Sequence, residues 1–264
     1  MLTSNCDIFI PVRLNSSRLP QKHLQPINGK PALMCLIDRL RKCNEIRHIV
    51  VCTTNEKSDD PLIEFLDKEH VQYFRGNEKD ILQRFLDAAK SFSTEIIIDV
   101  EGDKIYTDPF YVDKISNLLK TTDIDFVIGN DSPIKFNPSN HFIHGFVPAG
   151  IRKTVLDKVC KLKKTHNTET GYREFFLVPG MCKYQYLLFD RHEFSTDVRL
   201  TLDYKEDLDL AQRIFKELGT DFAMSNVLQL FNKKPELISI TKQIVEKWEL
   251  NYEKHRADLS LMSN

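Results

Sequence analysis

The sequence is short of the features that most readily assign a function. It has no G-x-x-x-x-G-K-[ST] loop and no G-x-G-x-x-G, so neither of the usual glycine-rich phosphate cradles is present. Its six cysteines, Cys6, Cys35, Cys43, Cys52, Cys160 and Cys182, are scattered, with no C-x-x-C pair and no metal-ligand spacing. They are expected to be reduced, small buried hydrophobes in a cytoplasmic protein. No signal peptide is read ahead of the first apolar segment, and no apolar run reaches membrane-spanning length. Net charge is -1, which excludes the global basic field that non-specific nucleic-acid binding needs. Any polyanion must be met by cations gathered locally.

What the chain does have is length and pattern. Its 264 residues, 41% hydrophobic and 28% charged, suffice for one large soluble domain. Apolar strand-like runs alternate with helix-like segments: "DIFIPV", "RHIVVCTT", "VQYF", "TEIIIDVEGD" and "IDFVIGN" against "ALMCLIDRLRKC", "DDPLIEFLDKEH", "EKDILQRFLDAAKSF" and "DPFYVDKISNLLK". Strands that are apolar throughout, rather than alternating, predict a mostly parallel sheet covered on both faces, a doubly wound α/β fold. Residues 131–197 are irregular and rich in interruptions, and are read as a small β-rich insertion lobe over the ligand edge. "VRLTLD" is then expected as a returning strand, followed by helices to the C-terminus. The expected division is one domain over 1–264, with a nucleotide-binding half at 1–130, an acceptor-binding lobe at 131–197, and the final strand and helices at 198–264.

In an open parallel sheet, ligands bind beyond the carboxyl ends of the strands. The charged residues gather at those ends. Pro11, Arg13, Ser16, Ser17, Arg18 and Lys22 follow the first strand in a loop, "PVRLNSSRLPQKHL", that holds no glycine. Thr53 and Thr54 close the second strand, Arg75 and Gly76 the third, Asp103 the fourth, and Asp203 ends "VRLTLD". Each piece has a plain reading alone: a solvated basic turn, an acidic strand end, a helix N-cap. Together on one sheet, cations at one corner and two carboxylates opposite suit a triphosphate and a divalent metal. Mg²⁺ takes few protein carboxylates and completes its shell with water and phosphate oxygens.

These motifs carry a resemblance. "IFIPVRLNSSRLPQKHLQPINGKP", "CTTNEKSDDPLIEFL", "FRGNEKDILQRFLDAAK", "VRLTLDYKEDLDLAQRIFKEL" and "LFNKKPELISI" resemble the cytidylyltransferases that activate sugars for surface polysaccharides. The similarity favours the SpsF-like branch over the 3-deoxy-manno-octulosonate and sialic-acid enzymes. It implies a Mg²⁺-dependent enzyme transferring CMP from CTP to a sugar acid or phosphorylated acceptor, and a homodimer. It places Arg13, Ser16, Ser17, Arg18 and Lys22 on CTP, and Arg75, Asp80 and Arg84 near base and ribose. Asp103 and Asp203 become the metal ligands. The sequence departs from the family at "GDKIYTDP", where Lys104 follows the aspartate in place of a small turn, and at Gln21, where glycine is common. The acceptor is expected to meet His141, His144, Arg173 and Glu174. The same fold using UTP or GTP, and a non-catalytic nucleotide-binding relative, are the alternatives.

Overall fold

The computed structural model describes residues 5–129, 144–187 and 199–262. The strands are β1 (Cys6–Pro11), β2 (Pro26–Ile27), β3 (Lys30–Pro31), β4 (His48–Thr54), β5 (Gln72–Gly76), β6 (Ile96–Asp99), β7 (Phe126–Gly129), β8 (Ala149–Arg152) and β9 (Tyr184–Leu187). The helices are α1 (Ala32–Leu40), α2 (Asp60–Lys68), α3 (Ile81–Ser91), α4 (Pro109–Thr121), α5 (Lys153–Leu162), α6 (Lys205–Leu218), α7 (Met224–Lys233) and α8 (Glu236–His255). Seven strands form one sheet in the order β5-β4-β1-β6-β8-β7-β9, and β2 and β3 form a separate antiparallel pair.

The first half is parallel, with Asp7 opposite His48 on one side of β1 and Ile97 on the other. Residues on β1 alternate between two cores: Ile8 and Ile10 face one, Phe9 the other, and all three are fully buried. α1, α2, α4, α6 and α7 cover the first face, while α3 and α5 cover the second. A strand buried on both sides needs apolar residues at every position, which is why the pattern reads as continuous.

Two elements differ from expectation. The described part of 131–197 supplies strands to the main sheet as well as residues above it: β8 lies antiparallel between β6 and β7, and β9 pairs parallel to β7 at the edge. "VRLTLD" is not a sheet strand over its described residues. It is joined by an isolated bridge of Arg199 to His144, and Leu202 N–H donates to the Asp103 carbonyl at 2.9 Å. That bond sets the two aspartate-bearing segments side by side.

One buried cation ties the layers together. The Arg39 guanidinium, 1% exposed, donates to the carbonyls of Tyr106, Thr107, Thr220 and Phe222 at 2.8–3.2 Å. It also lies 3.9 Å over the Phe222 ring. Arg39→Ala leaves four carbonyls short of donors, at about 1–3 kcal/mol for each that water cannot reach. We expect urea unfolding to show a loss of about 3 kcal/mol or more, with the urea dependence unchanged.

Candidate functional site

A cleft of about 640 Å³ opens above the carboxyl ends of β1 and β6. Its volume falls in the range of small-molecule sites. At its floor the Lys22 ammonium lies 2.7 Å from Asp103 Oδ2 and 2.9 Å from Asp203 Oδ1. Arg18 reaches the same Asp203 oxygen at 2.7 Å, and Arg199 holds the other at 3.1 Å. Arg199 is in turn clamped by both oxygens of Asp207 at 2.6 and 2.7 Å. Burial alone would raise the Asp203 pKa, but Lys22, Arg18 and Arg199 hold it well below the usual carboxylate range. Burial would lower Lys22, yet the two aspartates push it above the ordinary lysine value.

The backbone makes this convergence possible. The chain leaves β1 at Pro11, and Leu14 N–H is fixed to Asp59 Oδ1 at 2.8 Å. Gly102, between Glu101 and Asp103, has no room for a side chain. A Cβ there would stand 2.7 Å from Val12 Cγ2 and 2.9 Å from His23 Cε1. The first-strand loop thus packs directly on the acidic turn. Lys104 does not disturb the aspartate beside it, since its buried ammonium pairs with Glu101 at 3.1 Å.

Among the described residues no group of three or more His, Cys, Asp or Glu could hold a metal. The pair Asp103 and Asp203 nevertheless fits a divalent ion, because oxygens of both already share one cationic centre, the Lys22 ammonium. Two carboxylates suit a hard cation that draws its remaining ligands from water and phosphate.

The other residues singled out from sequence divide into two groups. Pro11, Arg13, Ser16, Ser17, Arg18, Lys22 and Arg84 line the cleft with the aspartates, as do His144, Arg173 and Glu174. Arg13 is paired across it with Glu169. Arg84 spends its guanidinium on the carbonyls of Cys52, Asn77 and Glu78. Thr53, Arg75, Gly76 and Asp80 do not line the cleft. Thr53 and Thr54 donate their hydroxyls to Asp59. Arg75 turns to Asp60 and the carbonyls of Thr54 and Glu56 at 2.8 Å. Gly76 pairs with Thr54 at the end of β5. Asp80 caps α3, accepting from Gln83 N–H at 3.1 Å, and forms a buried pair with Lys163. His141 lies outside the described residues.

Arg173 does not pair with its neighbour Glu174. Its Nε meets Asp99 Oδ2 at 2.6 Å and its NH1 meets Glu101 at 3.3 Å, and Tyr172 donates to Asp99 as well. Glu174 accepts from the Tyr252 hydroxyl at 2.5 Å and meets Arg256 at 3.3 Å. Sequence reading missed Asp59, Asp99, Glu169, Arg199 and Asp207. The last two stand eight apart in "RLTLDYKED", a spacing with no periodic signature.

His23, 4% exposed, bonds through Nδ1 to the Gly102 carbonyl at 3.2 Å. Burial, with Lys22 beside it, lowers its pKa from 6.5 to about 3. The unfolded chain therefore takes a proton below 6.5 that the folded chain refuses until about 3. Stability is full above the unfolded value and falls as pH drops, by up to about 1.4 kcal/mol per pH unit. In chelator-containing buffer, denaturant midpoints from pH 7 to 4.5 should fall more steeply for wild type than for His23→Asn. Parallel profiles would contradict this.

Comparison with known proteins gives this geometry its context. The cytidylyltransferase family model matches residues 8–225. The spore coat polysaccharide biosynthesis protein SpsF of Bacillus subtilis is 25% identical over 241 residues, covering 86% of this chain and 94% of its own. An uncharacterized protein of Methanocaldococcus jannaschii is 27% identical over 245 residues, covering 90% and 95%. The solved structure of a cytidylyltransferase from Leptospira borgpetersenii superposes with a TM-score of 0.78 at 26% identity, covering 89% of this chain and 97% of that one. The chain is a nucleotidyltransferase and belongs to the cytidylyltransferase family.

Proposed function

We propose that the protein transfers CMP from CTP to a sugar-acid or phosphorylated acceptor, with release of pyrophosphate, in the cytoplasmic synthesis of a surface glycan. The observation that carries this reading is the convergence of Arg18 and Lys22 from one loop on Asp103 and Asp203 from two others. The SpsF name ties one relative to spore-coat polysaccharide. A homodimer is part of the same reading.

In this reading Arg13, Arg18 and Lys22 exchange their carboxylate partners for triphosphate oxygens as CTP enters. Ser16, Ser17 and the amides of their loop hold the phosphates in line. The acceptor oxygen attacks the α-phosphorus, and the bond to the bridging oxygen of pyrophosphate breaks. Lys22 and the arginines stabilise the charge that gathers on the departing pyrophosphate. Mg²⁺, held by Asp103 and Asp203, supplies neutralisation of phosphate charge when bound. A phosphate acceptor attacks through an oxygen that is already ionised and needs no strong base. A sugar acid attacks through a hydroxyl, whose proton leaves to solvent as the new bond forms and whose acidity a bound divalent ion would raise. Asp103 and Asp203 keep Lys22 protonated and aimed at the cleft until the nucleotide arrives.

Thermal unfolding with CTP, UTP, GTP and ATP tests the nucleotide. CTP at 100 times its dissociation constant adds roughly 2.7 kcal/mol to the folded state. We expect the largest shift with CTP, and only with Mg²⁺. A larger shift with UTP or GTP would overturn the base while keeping the reaction type. Asp103→Asn should lose pyrophosphate release by about 100-fold or more, by analogy with the loss of one transition-state electrostatic contact. Retained turnover would sink the assigned role.

A further inference from the structure

The nucleotide-side loop is accounted for above, but part of the cleft wall is built from α8, which follows the family-matched residues 8–225. Trp248, Asn251, Tyr252, Lys254, His255 and Arg256 all line the same cleft as Arg18 and Asp203. We propose that this end of α8 is the acceptor subsite, selecting a sugar or polyol that carries an anionic group, carboxylate or phosphoryl. The inference rests on the cytidylyl-transfer reading.

Position comes first. Arg84 is tied to β4 through the Cys52 carbonyl, and Glu78 and Ile81 follow β5 in the chain. α8 packs against His144 through Trp248 and on Glu174 through Tyr252. Its end thus adds to the cleft residues that lie outside the family-matched stretch.

Chemistry comes next. The Trp248 ring lies 4.9 Å from His144 and 5.8 Å from Tyr252, with the Arg199 guanidinium 5.2 Å from its centroid. Trp248 is itself largely buried with Tyr204 and Ile244, so its ring backs the wall, while the Asn251 side chain lines the cleft beside it and offers polar atoms to a sugar hydroxyl. The cations expected to read the acceptor are already engaged, since Arg173 is held by Asp99 and Glu101. Lys254 and His255 form no ion pair among the described residues, and His255 engages Nδ1 with the Asn251 carbonyl at 2.8 Å. Lys254 offers an ammonium and His255 its other ring nitrogen to the oxygens of an incoming anion.

The wall is anchored. Tyr252 donates to Glu174 at 2.5 Å, Arg256 meets Glu174 at 3.3 Å, and Ala257 N–H donates to the Thr170 carbonyl at 2.9 Å. Gly171, at φ +74°, leaves the space: a Cβ there would meet Arg256 Cγ at 2.8 Å and Tyr252 Oη at 3.3 Å. The helix end is thus seated on the loop that also presents Glu169, which gives the subsite a fixed geometry.

Trp248 is the sole tryptophan, so its emission reports on this wall directly. The full chain is titrated with three probes: 3-deoxy-manno-octulosonate (carboxylate), glucose 1-phosphate (phosphoryl), and CTP with Mg²⁺, each also followed by calorimetry. At least one of the first two should perturb Trp248 and bind. In Lys254→Ala/His255→Ala, two exposed positions, that probe should bind tenfold or more weakly, with CTP affinity within twofold of wild type. If neither small anion binds while CTP does, the subsite is overturned. If the double variant weakens CTP as much as the small anion, α8 serves the nucleotide and the proposal falls. A wild type that binds the small anion but not CTP overturns the cytidylyl reading and leaves the subsite standing.

Discussion

A lysine ammonium held between two carboxylates, in a place where water is largely excluded, governs the rest of this structure. Lys22, Asp103 and Asp203 come from three distant segments. Loss of either aspartate leaves Lys22 on the other alone, and loss of Lys22 takes from both the ammonium they share. The fold supplies what the set requires. β1 delivers the loop, Gly102 lets it settle on the acidic turn, and Leu202 docks on the Asp103 carbonyl. Arg199, clamped by Asp207, supplies the further positive charge that keeps the more buried aspartate ionised.

The same arrangement explains how a cleft can be both charged and stable. Each cation of the first-strand loop already has a carboxylate partner: Arg13 has Glu169, Arg18 has Asp203, and Lys22 has both aspartates. An entering polyanion therefore replaces existing ion pairs instead of meeting bare charge. In our reading Asp103 and Asp203 would hold a divalent cation, whose charge would compensate them when Lys22 and the arginines turn to the phosphates. Net charge near neutrality suits a protein whose electrostatics are concentrated in one cleft.

Much of this was legible in the sequence, for identifiable reasons. The parallel half could be read because strands buried on both faces are apolar throughout, and because Asp-Pro marks the starts of α2 and α4. Arg13, Arg18, Lys22 and Asp103 were legible as cleft residues because strand ends in such a sheet converge on one edge, whereas Asp203 was picked from a strand that the described residues do not form. The same signal selected Thr53 and Arg75, and the family resemblance selected Asp80; chain position cannot tell whether a side chain at that edge turns into the cleft or back into the scaffold. Thr53 and Asp80 turn back, to Asp59 and Lys163. β8 was missed because four residues, "AGIR", between prolines and a helix carry no periodicity. "VRLTLD" misled in the opposite way: alternating residues gave it a strand's pattern, but its partners are single contacts to His144 and Asp103. Glu169 had no local signal, since its role depends on which loop lies across from Arg13.

The most direct test of the central claim is whether Asp103 and Asp203 act as one cation site. Mn²⁺ binding to the enzyme–CTP complex, followed by its electron paramagnetic resonance signal, measures this. Wild type should bind Mn²⁺ more tightly than CTP does alone. Asp103→Asn and Asp203→Asn should each abolish that gain, and the double variant should lose no more than either single one, because residues sharing one ion do not contribute additively. If one single variant keeps wild-type affinity, or if the two losses add independently, the aspartates do not form a shared site and the account fails.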